Sequence, residues 1–312
     1  MPRKAAWLIA ILAAGIGTAA QPVPGEIDLF WGRTRQQLAR EPMEMKEEPL
    51  RERLPYEKIR ITYRGLGGVP VRAYLAKPIR GESAVRRLPA IITAPGYGGW
   101  EQGVELAECQ RGYIVLQVFP RSQGESADLW RIDGPDKLTW RLNKPEGAYY
   151  QGAYADMLRG VDYLASRADV DALRIGVMGT SQGGGIALAL ASLDPRLKAV
   201  VAHVPFLCDM RRAAQIDGAL VRTLLLQHRS LTESRLNSLD YFDPLNLVHH
   251  LAAPALVSAG GKDTTCPAAT IRAVFDRIAG IKALAYYPDL PHTSSGDFYE
   301  LSWNWMDRHL RH

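Results

Sequence analysis

The chain has 312 residues, 47% of them hydrophobic and 23% charged, with a net charge of +5. Length and apolar content suffice for one large buried core. The charge excludes a nucleic-acid reading: without Arg3 and Lys4 it falls from +5 to +3, and no run of five like charges occurs.

Residues 1–20 read as a secretory signal peptide. Arg3 and Lys4 make a charged start, residues 5–16 are apolar, and Thr18-Ala19-Ala20 offers small residues for cleavage before Gln21. The apolar part is shorter than the ~20 residues a membrane span needs, so a periplasmic or secreted location is expected. Residues 21–57 are polar and punctuated by Pro22, Pro24, Pro42, Pro49 and Pro55. Phe30, Trp31 and Leu38 predict one amphipathic helix there, in an arm laid over the core.

Residues 58–63 and 69–76 alternate in strand fashion around Gly65-Leu66-Gly67-Gly68, which predicts an antiparallel hairpin. Residues 88–93 read as a buried strand, followed by Ala94-Pro95-Gly96-Tyr97-Gly98-Gly99-Trp100. A helix over 101–111 ends at Gly112, and 113–119 is the next buried strand. Residues 121–148 form a polar loop longer than ordinary connections. Residues 149–166 have helical spacing, 174–178 read as a strand, and 198–204 as another. Residues 206–251 break the rhythm with mixed-charge helical sequence and read as an insertion. Strands at 254–259 and 282–287 then alternate with helices at 270–278 and 297–310. This alternation predicts one doubly wound α/β domain over 58–312, mostly parallel, with the hairpin antiparallel to it.

Gly179-Thr180-Ser181-Gln182-Gly183 fits G-x-S-x-G between an apolar strand and an Ala/Leu helix, the nucleophile elbow of the α/β-hydrolase fold. A serine hydroxyl needs a base, and the base an orienting acid. On this sheet they follow in the order Ser, Asp or Glu, His, each past a strand end. Asp263, in Gly260-Gly261-Lys262-Asp263, and His292, in Pro288-Asp289-Leu290-Pro291-His292, take those places. His203 precedes Asp263 and so has the wrong order. His249 and His250 lie on the insertion, and His228, His309 and His312 on helices or the terminus. Asp289 follows the wrong strand for the acid. Two backbone N–H groups are expected to bind the oxyanion: Gln182 at the helix start, and Tyr97 in the glycine-rich loop. No H-E-x-x-H, paired cysteines or ligand-spaced carboxylates occur, so neither metal nor cofactor is expected. The three cysteines, Cys109, Cys208 and Cys266, are no disulfide framework, although one bridge stays open in an exported protein.

Several segments go beyond the generic hydrolase pattern: Gly179-Thr180-Ser181-Gln182-Gly183-Gly184, Val204-Pro205-Phe206-Leu207-Cys208-Asp209, Tyr241-Phe242-Asp243-Pro244-Leu245-Asn246-Leu247 and Lys262-Asp263-Thr264-Thr265-Cys266-Pro267. With them the chain, from about Phe30 to its end, resembles the acetyl xylan esterase and cephalosporin C deacetylase family (carbohydrate esterase family seven). The resemblance implies removal of acetyl and similar small acyl groups from sugar hydroxyls, as on acetylated xylo-oligosaccharides. It also implies homo-oligomers, trimers or hexamers, with residues 138–147 contributing an interface, and makes Cys208 and Cys266 packing residues. The family's Arg-Gly-Gln stands here as Arg121-Ser122-Gln123, keeping the arginine and glutamine of a structural loop near the site. Pro95 replaces the histidine before Gly-Tyr, and Thr293 the glutamate after the histidine. Two other readings stay open: a peptidase or broad acyl hydrolase on the same fold, and a catalytically silent envelope-binding protein.

Overall fold

A strand that is apolar on both faces needs helices on both, and residues 88–94 show why this chain is layered. Every residue there is buried, with Ile92 packed towards one face of the sheet and Ile91 towards the other. The computed structural model describes residues 21–79, 87–101, 103–293 and 295–311. The expected signal peptide and His312 lie outside them.

The described strands are β1 (Lys46–Pro49), β2 (Tyr56–Arg64), β3 (Pro70–Pro78), β4 (Leu88–Ala94), β5 (Ile114–Phe119), β6 (Val170–Thr180), β7 (Leu197–His203), β8 (Ala255–Gly260) and β9 (Lys282–Tyr287). They join in the order β1-β2-β3-β5-β4-β6-β7-β8-β9. From β5 to β9 all neighbours are parallel, and β1, β2 and β3 run antiparallel at one edge. The expected hairpin and parallel strands are therefore present. β1, in the arm, was not foreseen. All four of its residues are exposed, so it has no apolar alternation to read. It is held instead by pairing with β2 and by ion pairs such as Arg60–Glu48 at 3.3 Å, an edge kept charged.

The helices are α1 (Pro24–Arg40), α2 (Gly103–Ala107), α3 (Tyr149–Ser166), α4 (Gln182–Leu193), α5 (Met210–Ala213), α6 (Leu220–Gln227), α7 (Glu233–Leu239), α8 (Ala268–Arg277) and α9 (Gly296–Leu310). α1, α3, α4 and α8 cover one face, and α2 and α9 the other. Every residue of α4 is buried, and apart from Gln182 and Ser192 all are glycine, alanine, leucine or isoleucine. α1 is the expected arm helix: it buries Ile27, Phe30, Trp31 and Leu38, and Trp31 Nε1 donates to Tyr241 O at 2.8 Å. The helix expected over 101–111 is shorter than that. After α2 the chain tightens into a 3-10 turn, Glu108–Arg111, and leaves it at Gly112 with φ 95°. Residues 206–251 carry α5, α6 and α7 and two 3-10 turns, Pro244–Asn246 and Val248–His250, in place of a strand.

β4 has β5 on one side and β6 on the other. The chain thus reverses its direction of winding at β4, and the carboxyl ends around such a point are where an open α/β sheet collects ligands.

Candidate active site

Ser181 stands at the joint between β6 and α4 with φ 55° and ψ −117°, a backbone conformation that L-residues rarely adopt. The surrounding chain enforces it. Ser181 N donates to His203 O at 2.9 Å, and Ser181 O accepts from Gly185 N at 3.1 Å and Phe206 N at 2.8 Å. The segment leaving β7 is itself contorted, with Val204, Leu207 and Asp209 at φ 36°, 71° and 45°. Glycines make the turn sterically feasible. A Cβ on Gly179 would lie 2.4 Å from the Gly183 carbonyl carbon, and one on Gly183 would lie 2.1 Å from Ala94 O.

The two other expected residues converge on this serine. His292 Nε2 lies 2.9 Å from Ser181 Oγ, and His292 Nδ1 lies 2.7 Å from Asp263 Oδ2. Ser181 follows β6, Asp263 follows β8 and His292 follows β9, so three strands of the parallel run β6-β7-β8-β9 deliver the three side chains to one end of the sheet. The Asp263 side chain is fully buried, and its second oxygen accepts from Cys266 N at 2.8 Å. That leaves the carboxylate fixed on both sides. A base held this way can take the Ser181 proton, and the carboxylate fixes which imidazole nitrogen carries the other proton.

The stretches that carry the two expected oxyanion donors both border Ser181. Gln182 is the first residue of α4, so its N–H has no intrahelical acceptor. Gly96 lies against the elbow: a Cβ there would be 3.8 Å from Thr180 O and 4.0 Å from Ser181 Cβ. Gly96 O accepts from Gln123 Nε2 at 3.2 Å and Gly99 N at 3.0 Å. In a trans peptide N–H and C=O point opposite ways, so this grip aims Tyr97 N–H away from Gln123. Tyr97 O is held by Gln123 Nε2 and by Lys137 Nζ, each at 3.1 Å. The Tyr97 hydroxyl donates to Asp136 at 2.8 Å, and burial foremost, then Asp136, keeps that phenol protonated far above its ordinary range.

Arg121 and Gln123 lie directly behind this loop. Arg121 donates through its backbone N, Nε and Nη2 to Asp156 at 2.7–2.9 Å, out of solvent. Gln123 Oε1 accepts from Gln182 Nε2 at 2.8 Å and Tyr149 OH at 3.2 Å, and Tyr150 OH donates to Gln182 Oε1 at 3.1 Å. The Gln182, Tyr149 and Tyr150 side chains and Lys137 were missed from sequence. The two tyrosines are legible there only as apolar helix positions, and Lys137 only as a loop charge. Ser122 keeps a left-handed φ of 62°, and its Oγ accepts from Ile132 N at 3.2 Å. The backbone at this departure therefore stays in the region that favours glycine.

The other titratable candidates are accounted for elsewhere. His203 is buried beside Ser302 Oγ at 3.1 Å, and burial pushes its imidazole down to about 4. Asp289 pairs with Lys262 at the surface, and His309 packs on Trp305. Two groups among the described residues bring three potential metal ligands together: Asp263, Cys266 and His292, and Asp28, His249 and His250. The second is a grouping that no sequence spacing announces. Asp28 and His250 are 222 positions apart, so spacing hides them. In the first, Asp263 and His292 are engaged with each other and with Ser181. All three cysteines are buried and unbridged, which closes the disulfide alternative in this structure. No described helix is long and apolar enough to cross a membrane.

A sequence profile of the acetyl xylan esterase (AXE1) family matches residues 17–309. The acetyl esterase Axe7A of Xylanibacter ruminicola is 32% identical over 171 residues, 53% of this chain, and the chain spans 38% of that relative's length. Among solved structures, acetyl xylan esterase 1 from Thermoanaerobacterium sp. superposes with a TM-score of 0.83 at 25% identity, covering 93% of this chain and 95% of the other. An acetyl xylan esterase from Paenibacillus sp. superposes at 0.84 and 27% identity, covering 91% and 95%.

Proposed function

Because the chain belongs to the acetyl xylan esterase family, we propose that it is a serine ester hydrolase that removes acetyl and similarly small acyl groups from sugar hydroxyls. The observation that carries this reading is the hydrogen-bonded line Asp263–His292–Ser181, at 2.7 and 2.9 Å, ending on a serine strained to φ 55°.

In the proposed reaction Ser181 Oγ attacks the acyl carbonyl carbon while His292 Nε2 takes the hydroxyl proton. The carbonyl π electrons move onto oxygen, and the N–H groups of Gln182 and Tyr97 bind the resulting oxyanion. Collapse breaks the bond to the sugar oxygen, which leaves with the proton from His292. Water, deprotonated by His292, then attacks the acyl-enzyme, and Ser181 regains its proton as acetate departs. Asp263 stays ionised and holds the imidazole throughout. Soluble acetylated xylo-oligosaccharides are the proposed substrates, met outside the cytoplasm by an oligomer of this chain.

The test is turnover of p-nitrophenyl acetate and of acetylated xylo-oligosaccharides. Ser181→Ala should lower kcat by several orders of magnitude, about 10⁴-fold or more, with KM little changed. Near-normal turnover in that variant overturns the reading. Faster cleavage of aminoacyl anilides than of acetyl esters by the unaltered chain assigns it to peptide substrates instead.

A further inference from the structure

Outside the Ser181 site, α1 and the 3-10 turn Val248–His250 bring three ligand-bearing side chains to one point. His250 Nε2 lies 2.9 Å from Asp28 Oδ1, and His249 Nε2 lies 3.9 Å from the same oxygen. The two imidazole centroids are 3.9 Å apart with planes inclined at 44°. One ligand atom from each residue lies within 4.8 Å of the other two. Each side chain is between 41% and 47% exposed, open to an ion from solvent.

Side chains of consecutive residues ordinarily diverge, yet His249 and His250 turn to one carboxylate oxygen. A hydrogen bond accounts for His250 only, since 3.9 Å is beyond that reach for His249. A cation accounts for both. Zinc binds imidazole nitrogen and carboxylate oxygen at about 2.0–2.2 Å in a tetrahedron, which sets donors roughly 3.3 Å apart. The observed 2.9 and 3.9 Å bracket that spacing, and small rotations of exposed side chains close the difference.

We infer that Asp28, His249 and His250 form a surface site for a zinc-class divalent cation. Two imidazoles and one carboxylate select such an ion over magnesium or calcium, which prefer oxygen throughout. Water completes the shell. The site joins the N-terminal helix α1 to the turn that leads into β8, the strand before Asp263. Its role is a staple: metal held there resists lifting of α1 from the domain, and it takes no part in acyl transfer.

The experiment uses residues 21–312, the chain expected after removal of the signal peptide. Zinc chloride is titrated into it by calorimetry, with thermal unfolding and p-nitrophenyl acetate hydrolysis measured in zinc and in EDTA. One zinc should bind per chain with micromolar affinity and raise Tm, leaving hydrolysis unchanged. The His249→Ala/His250→Ala double variant and Asp28→Asn should each lose affinity by at least about tenfold, and with it the rise in Tm. All three side chains are exposed, and circular dichroism checks that the variants fold. The proposal fails if the unaltered chain binds no zinc. It fails equally if binding survives in the double variant and inhibits hydrolysis, which would place the ion at Asp263, Cys266 and His292.

Discussion

Gln123 grips the Gly96 and Tyr97 carbonyls with one nitrogen and Gln182 with its oxygen. It touches the backbone of one proposed oxyanion donor and the side chain of the other while remaining buried itself. Gln123→Leu keeps the volume and removes both contacts, so the Gly96–Tyr97 peptide is free to turn. Because the oxyanion exists only in the transition state, the loss should fall on kcat, by about 10²-fold, with KM for p-nitrophenyl acetate nearly constant. A variant that raises KM and spares kcat would show that Gln123 shapes the pocket and not the donors. Glu105 offers a second single-residue test, on stability. It is buried on α2, and burial pushes its carboxyl up to about 7 from an ordinary 4.5, against the pull of a hydrogen bond with Thr93. The folded chain therefore holds this proton more tightly than the unfolded chain. The contribution is fully present below pH 4.5 and is lost as pH rises through 7. Glu105→Gln is neutral at every pH, so it should be the more stable protein at pH 8, by up to about 3 kcal/mol, and match the parent at pH 4. Urea midpoints at the two pH values measure this, and an equal difference at both would rule out titration as the cause.

The elements meet through buried charge as well as apolar packing. Arg121, just past β5, and Asp156, in the middle of α3, form a pair with the carboxylate fully buried, and Arg121 Nη2 also reaches Leu66 O at 2.9 Å. Removing one partner strands the other without water. Asp156→Ala should therefore destabilise the fold by about 3–5 kcal/mol, seen as a lower denaturant midpoint, and should loosen the Arg121–Gln123 loop so that activity falls before global unfolding. If activity and structure were lost at the same denaturant concentration, the loop would have no separate dependence on this pair. The contrast with the proposed triad shows what a sequence discloses. Ser181, Asp263 and His292 were legible because each stands a short, fixed step past a strand whose apolar run is itself legible. Arg121 and Gln123 were found only by resemblance, and Asp156, Tyr149 and Tyr150 were not found, since a polar or aromatic position inside a helix has the same spacing whether it faces a partner or the core. Ser122 shows a limit of another kind. A serine stands there in place of the family's glycine, yet its φ is 62°, at a cost of about 1–2 kcal/mol for an L-residue.

For the whole molecule, the question is how a chain proposed to work outside the cytoplasm carries three cysteines without a disulfide. An exposed thiol in an oxidising space would cross-link or oxidise. Cys109 lies in the buried cluster on the α2 and α9 face with no exposed surface, while Cys208, in the insertion, and Cys266, in the loop that bears Asp263, are 3% exposed each and line one small cavity. Burial pushes the Cys109 thiol up to about 12 and drives the other two well above their ordinary value. Thiolate, the reactive form, is therefore scarce at all three positions, and the packing that hides them spans both faces of the sheet. Protection is thus a property of the folded whole and should vanish at once on unfolding. Reacted with an aromatic disulfide reagent at neutral pH, the native protein should show almost no labelling over minutes. In denaturant without reductant, all three of its cysteines should react. A denatured, unreduced sample with two thiols fewer would mark a bridge, and the neighbouring pair Cys208 and Cys266 would be the one to map by mass spectrometry.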